Sequence, residues 1–396
     1  MIQSLGRRTR ITLVILLVIA LAGIAAWRTL FVSTDTAIRH AEAFLFRRMT
    51  VARLAEEGKY RFFFSTNRVP GSGSGSLEQR FTPERGETLQ FGYFDAEVQP
   101  SLGLGMLINP TEWFQNEEIR LGDVNEQATQ DFLAALRERV ENSPHRGLLV
   151  VVHGFRERFP SALRKTVFVG HVLDLNAPVL LFDWPGNQGS SPIGYRRARQ
   201  VASESGAELA QLLELISREV QPESLWLIAN SLGGQVVVKA FDELYERQDQ
   251  SAVRLEDVVL TAPDIDREAF DARFRDRIAA LTDNLTVYVS SNDRALVMSR
   301  LINRAARGGE STLQPDQFDE AARVVEMTSP DSDLVTLVDV TPVNRTRNFH
   351  NFSLETPEFF DDLFLRLVND DTPRSRPIYQ VTTPEGRVYW VLTRGR

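Results

Sequence analysis

The chain of 396 residues contains no cysteine. Disulfide scaffolds, thiolate zinc sites and cysteine nucleophiles are thereby excluded. Histidine is scarce as well: His40, His145, His153, His171 and His350 are the full set. No pair among them has the spacing of a zinc site, so zinc is not expected. An excess of basic charge is missing too, since 45 Lys and Arg stand against 53 Asp and Glu, a net charge of −8. Nucleic-acid binding normally needs a basic face, so that role is not expected. With 24 Gly, 18 Pro and 43% hydrophobic residues, collagen-like and disordered chains are set aside. Long apolar runs are also lacking apart from Ile11 to Trp27, which excludes a multi-span membrane protein.

That one run is flanked asymmetrically. Arg7, Arg8 and Arg10 precede it and Arg28 closes it. Its seventeen residues would rise about 25 Å as a helix, slightly less than a hydrocarbon core of about 30 Å. Local thinning or snorkelling of the flanking arginines absorbs such a mismatch. Trp27 suits the interface, and the basic cluster should stay in the cytoplasm. The expectation is a basic region at 1–10, a transmembrane signal anchor at 11–27, and the bulk of the chain on the far side. A cleaved signal peptide competes with this, because Ala20-Leu21-Ala22 and Ile24-Ala25-Ala26 offer small residues at the right depth.

Beyond the anchor, residues 28–58 show helical spacing and read as a stalk. Lys59 to Thr66 and Leu89 to Val98 are β-prone, with a Gly/Ser-rich loop, Pro70 to Ser76, between them. Gly147 to Val152 (GLLVVV) is apolar throughout, the pattern of a strand buried on both faces. Similar runs occur at Pro178 to Phe182, Leu225 to Ala229, Asp257 to Thr261, Leu285 to Ser290 and Leu334 to Val340. Helical stretches such as Arg196 to Glu219 and Gly234 to Gln248 lie between them. This alternation predicts an α/β domain over 59–372 with a mostly parallel sheet covered by helices. Residues 373–396 hold two β-rich runs about Pro384-Glu385-Gly386 and read as an appended C-terminal hairpin.

The chemistry concentrates on one serine. LWLIANSLGG (Leu225 to Gly234) is an apolar strand, a turn at Ser231 and the glycine-rich start of a helix. That is the pattern of a nucleophile elbow, although Ala229 replaces the usual first glycine of G-x-S-x-G. Triad residues follow the order serine, acid, histidine in this fold, and only His350 comes after Ser231. His350 is therefore the expected base. Asp293, at the end of LTVYVSSND, is the expected acid, with Asp264 in VVLTAPDID as the alternative. The oxyanion donors are expected to be the amides of Leu232 and Phe155, with Gly154 second to Phe155, from the VVVHGF turn. His153 on that turn is expected to make a structural hydrogen bond. The FDWPGNQGS segment lacks a phosphate-cradling pattern and reads as a loop at the mouth of the site, with Trp184 as a pocket wall.

HGF, FDWPG, ANSLGG, APDID, YVSSNDRAL and FHNF in this order, with FFFSTNR near the start, resemble a branch of the α/β-hydrolase superfamily known only as a domain of unknown function. The resemblance spans about residues 59–370 and implies the α/β-hydrolase fold, with Ser231, Asp293 and His350 at the triad positions. It also implies a bacterial protein, which with the anchor gives a single-pass inner-membrane protein whose catalytic domain faces the periplasm. Asn230 stands where this branch commonly has histidine, and Asn351 follows the final histidine. The expected function is a membrane-anchored serine hydrolase acting on a small-molecule or lipid ester, without a cofactor. Two alternatives stay open: a non-catalytic binding module of the envelope, and an acyltransferase using the same triad.

Overall fold

An apolar run such as Gly147–Val152 leaves no face for water, so helices must cover it on both sides. The computed structural model describes residues 16–21, 59–72, 76–98, 119–173, 175–247, 253–265, 274–290, 335–344, 352–368, 376–382 and 388–393. In chain order these form β1 (Lys59–Pro70), α1 (Leu77–Arg80), β2 (Phe81–Val98), β3 (Ile119–Gln127), α2 (Thr129–Glu141) and β4 (Gly147–Val152). Then follow α3 (Phe159–Leu173), β5 (Val179–Asp183), α4 (Pro192–Glu204), α5 (Gly206–Glu219), β6 (Ser224–Asn230) and α6 (Gly233–Glu246). The chain continues with β7 (Leu255–Thr261), α7 (Phe274–Leu281), β8 (Thr282–Val289) and β9 (Val335–Asp339). It closes with α8 (Phe352–Glu355), α9 (Pro357–Val368), β10 (Ile378–Thr382) and β11 (Val388–Leu392).

All eleven strands belong to one sheet, in the order β10-β11-β9-β8-β7-β6-β4-β5-β1-β2-β3. From β1 to β11 through the centre every pairing is parallel. Among the described residues, antiparallel pairs occur at the ends only, β1 with β2, β2 with β3, and β10 with β11. Side chains alternate between two cores, as the period of two requires. Leu148, Val150 and Val152 of β4, with Leu225, Leu227 and Ala229 of β6, pack with α2, α4, α5 and α6. Leu149, Val151, Trp226 and Ile228 pack on the other face with α3 and α9.

Two expectations change. The C-terminal hairpin is no appendage, because Trp390 and Val391 pair with Val338 and Asp339 and so extend the main sheet. The stretch from Arg196 to Glu219 is not one helix. It breaks at Ser205, where the Asn67 amide donates to Ser205 Oγ at 2.9 Å, and α5 restarts at Gly206. A Cβ on Gly206 would lie 2.4 Å from Lys239 Cβ, so the break brings α5 against α6 more closely than a side chain allows.

The chain order reverses at β4, with β5 on one side and β6 on the other. In open α/β sheets, ligands bind outside the carboxyl ends of the strands at such a switch point. The turns after β4 and β6 are thus the first place to look for a site.

Near the N-terminus of the chain, residues 16–21 are helical and exposed. No helix among the described residues is long and apolar enough to cross a membrane. The rest of the expected anchor, and the expected stalk at 28–58, lie outside the described residues.

One core residue makes the fold sensitive to acid. His171, near the end of α3, is buried with neither ring nitrogen hydrogen-bonded among the described residues. Burial lowers its pKa to about 4. Below about pH 6.5 the unfolded chain takes up a proton that the folded chain refuses, so stability falls as pH drops from 6.5 towards 4. Over that window the loss amounts to about 3 kcal/mol. Urea unfolding at pH 7 and pH 4 should show this component absent in His171→Leu; equal pH dependence in the two proteins would contradict it.

Candidate active site

β6 delivers Ser231 to the switch point and stops there. Ser231 has φ 54°, a left-handed conformation that a non-glycine residue adopts only under restraint. The restraint is visible: its N–H donates to the Thr261 carbonyl at 2.9 Å, and its carbonyl accepts from Gly234 N–H at 2.9 Å and Asp264 N–H at 3.1 Å. The hydroxyl stands beside the N-terminus of the fourteen-residue α6, whose free amides and dipole favour negative charge. The Leu232 amide, first after the serine, has no acceptor among the described residues.

The turn after β4 lies directly against this elbow. A Cβ on Gly154 would meet the Asn230 carbonyl at 3.0 Å and Ser231 Cβ at 3.1 Å. A Cβ on Gly233 would meet the carbonyls of His153 and Val152 at 2.7 and 2.8 Å. Glycine at both positions lets two backbones meet where one amide set can face a reacting group beside Ser231. Of the expected oxyanion donors, Leu232 sits on the elbow, and Gly154 and Phe155 sit on the adjoining turn.

His153 holds that turn from beneath. It is fully buried, its Nδ1 donating to the Gly154 carbonyl at 2.9 Å, while Nε2 lies 3.0 Å from Asp183 Oδ1. The Phe155 amide lies on the opposite edge of that same peptide plane from the carbonyl that His153 holds. Asp183 is itself held by Arg68 through Nε at 2.7 Å and Nη2 at 3.1 Å, and by the Thr66 hydroxyl at 2.7 Å. Burial would raise the Asp183 pKa, but Arg68 and His153 outweigh it and hold it at about 2. Trp184, expected as a pocket wall, is instead fully buried. Its indole stacks on His153 at 5.5 Å and donates to the His153 carbonyl at 2.8 Å.

Of the two candidate acids, Asp264 is placed near the elbow through its amide. Its carboxylate accepts from the hydroxyl of Tyr195, a buried residue on α4 that packs edge-on against Phe155 at 5.3 Å. Asp293 and His350 lie outside the described residues. So do residues 294–333.

Sequence reasoning passed over two groups. The first is the pair Asn67-Arg68 at the end of β1, whose position in a polar tail (STNR) to an aromatic strand was the available signal. The second is Lys165 on α3, whose side chain is 5% exposed and whose Nζ donates to Asn230 Oδ1 at 3.0 Å. Burial lowers its pKa, with Glu157 acting the other way. A single lysine among the apolar positions of RKTVFVGHVL was its only trace. A polar hollow of about 700 Å³ lined by Ser224, Arg254 and Asp283 opens at the amino ends of β6 to β8, the end of the sheet away from Ser231.

Comparison with known proteins agrees with this fold. No curated protein matches the chain. Residues 127–363, more than half of the chain and inclusive of the β4 turn and the elbow, match the family described as "Alpha/beta hydrolase of unknown function (DUF900)". With its parallel sheet, switch point and strained serine turn, the chain belongs to that family of alpha/beta hydrolases.

Proposed function

We propose that the protein is a serine hydrolase of carboxylic esters, anchored by its N-terminal segment in a bacterial inner membrane with the catalytic domain in the periplasm. The observation that carries this reading is the strained Ser231 at a helix N-terminus, packed closely against the backbone of a second turn. Ser231 Oγ attacks the ester carbonyl as His350 takes its proton, with Asp293 orienting the imidazole. The Leu232 and Phe155 amides hold the oxyanion of the tetrahedral intermediate. His350 returns the proton to the departing alkoxide, leaving an acyl-enzyme, and water then releases the acid by the same steps.

Two tethers support the partners. Ser353, three residues after His350, accepts from the Asn230 amide at 3.2 Å, and three residues of chain reach no further than about 11 Å. Ser290, three residues before Asp293, closes β8 at the carboxyl edge and accepts from the Asn344 amide at 2.9 Å. The engagement of Asp264 by Tyr195 favours Asp293 as the acid. The apolar run 11–27 with its basic flank supports the anchor.

Hydrolysis of p-nitrophenyl esters of graded chain length tests the assignment. Asp293→Asn should lower kcat by a factor on the order of 10⁴, whereas Asp264→Asn should stay within about 10-fold of wild type, as for a residue outside the triad. The reverse ranking would move the acid to Asp264, and no ester turnover by the wild type would reject the substrate class.

A further inference from the structure

We propose that Lys165 is a positioning residue for the nucleophile, holding the Asn230 amide in the one orientation that locks the elbow to the segment following His350. This rests on the serine-hydrolase reading and adds to it a residue that the triad does not contain.

The argument begins with donor inventory. An ammonium only donates, so the Asn230 atom 3.0 Å from Lys165 Nζ must be the oxygen. The Asn230 NH2 is thereby turned the other way, where it donates to Thr261 Oγ1 at 3.0 Å and Ser353 Oγ at 3.2 Å. One amide thus joins α3, the end of β6, the end of β7 and α8. Without the lysine, only the longer contact of the NH2 with the Thr261 carbonyl, at 3.4 Å, would oppose a half-turn flip that sets the amide oxygen against two hydroxyl groups and its NH2 toward α3.

Two consequences follow for Ser231, the next residue. A left-handed non-glycine residue relaxes unless its neighbours over-determine it, and the Asn230 hub supplies such a constraint on the residue immediately before it. The same amide also ties the elbow to Ser353 at the start of α8, three residues after His350 in the chain. Lys165 is nearly fully buried behind the elbow, which suits a group acting through Asn230 rather than on substrate. A buried ammonium is costly, and besides the nearby Glu157 charge the contact it makes here is with the Asn230 oxygen.

The test is a double-mutant cycle on the full-length chain, read as the rate of Ser231 modification by a fluorophosphonate probe. Lys165→Met and Asn230→Ala should each slow the maximal rate by about 10-fold to 100-fold, the scale of a misplaced reacting group. Half-saturation by the probe should not move. The double variant should be no slower than the slower single one, because both changes break the same linkage. A wild-type rate in Lys165→Met, or losses that multiply in the double variant, would overturn the proposal. If Lys165→Met does not fold, Asn230→Ala answers alone: slow labelling at unchanged half-saturation supports the linkage, and wild-type labelling overturns it. Absence of labelling in the wild type would instead reject the serine-hydrolase reading, so the two failures are distinct.

Discussion

Replacing Ser231 by alanine should lower ester turnover by a factor on the order of 10⁶, the scale of losing a triad nucleophile. The loss should appear in kcat, since the hydroxyl forms its bond only on the way to the transition state. The backbone adds a second, less common signature. Position 231 has φ 54°, which any residue with a Cβ holds under strain, so alanine leaves that strain in place. Glycine removes both the hydroxyl and the strain. Ser231→Gly should therefore be as inactive as Ser231→Ala yet more stable than it by about 1 kcal/mol. Calorimetry of the two variants checks this, and equal melting temperatures would mean that the elbow is not strained in solution.

The second large effect concerns the support beneath the oxyanion turn. Arg68→Met should destabilise the fold by about 3–5 kcal/mol, as breaking a buried ion pair does. Arg68 and Asp183 are 3% and 0% exposed, so the carboxylate left behind has no water to turn to. The carbonyls of Glu157 and Trp184 would also lose their guanidinium donor. Asp183→Asn in the same chain should recover part of the loss by removing the orphaned charge, although the contact with His153 becomes neutral. Urea unfolding of the single and double variants reads this directly. A single variant within 1 kcal/mol of wild type, below the scale set by a buried pair, would show that the pair contributes no more than a surface one. Activity should suffer as well, because Asp183 contacts His153, and His153 fixes the peptide that joins Gly154 to Phe155.

Much of this architecture was legible in the sequence where a strand is apolar on both faces. Gly147–Val152 was bounded to the residue, and the other central strands to within three residues at either end. The elbow was legible because strand, serine and glycine-rich helix start are adjacent in the chain. Edge elements were not: β3, IRLGDVNEQ, buries only Ile119 and Val124 and is otherwise mostly polar or glycine, so its hydrophobic pattern is too weak to mark a strand. The hairpin looked detached because its parallel pairing with β9 spans about fifty residues of chain and leaves no local signal. The same holds for the polar cluster under the site. Arg68 and Asp183 are 115 positions apart, and each alone reads as a solvated charge. Only the sheet order, which puts β1 beside β5 and β5 beside β4, brings them together under the His153 turn.

The central claim is that Ser231 is a nucleophile activated by His350. Treating membranes that carry the full-length chain with a fluorophosphonate, then mapping the modified peptide by mass spectrometry, tests it most directly. The account predicts a single adduct on Ser231 in the wild type and none in His350→Ala over the same time. An unmodified Ser231, or an adduct formed equally fast without the imidazole, would contradict it.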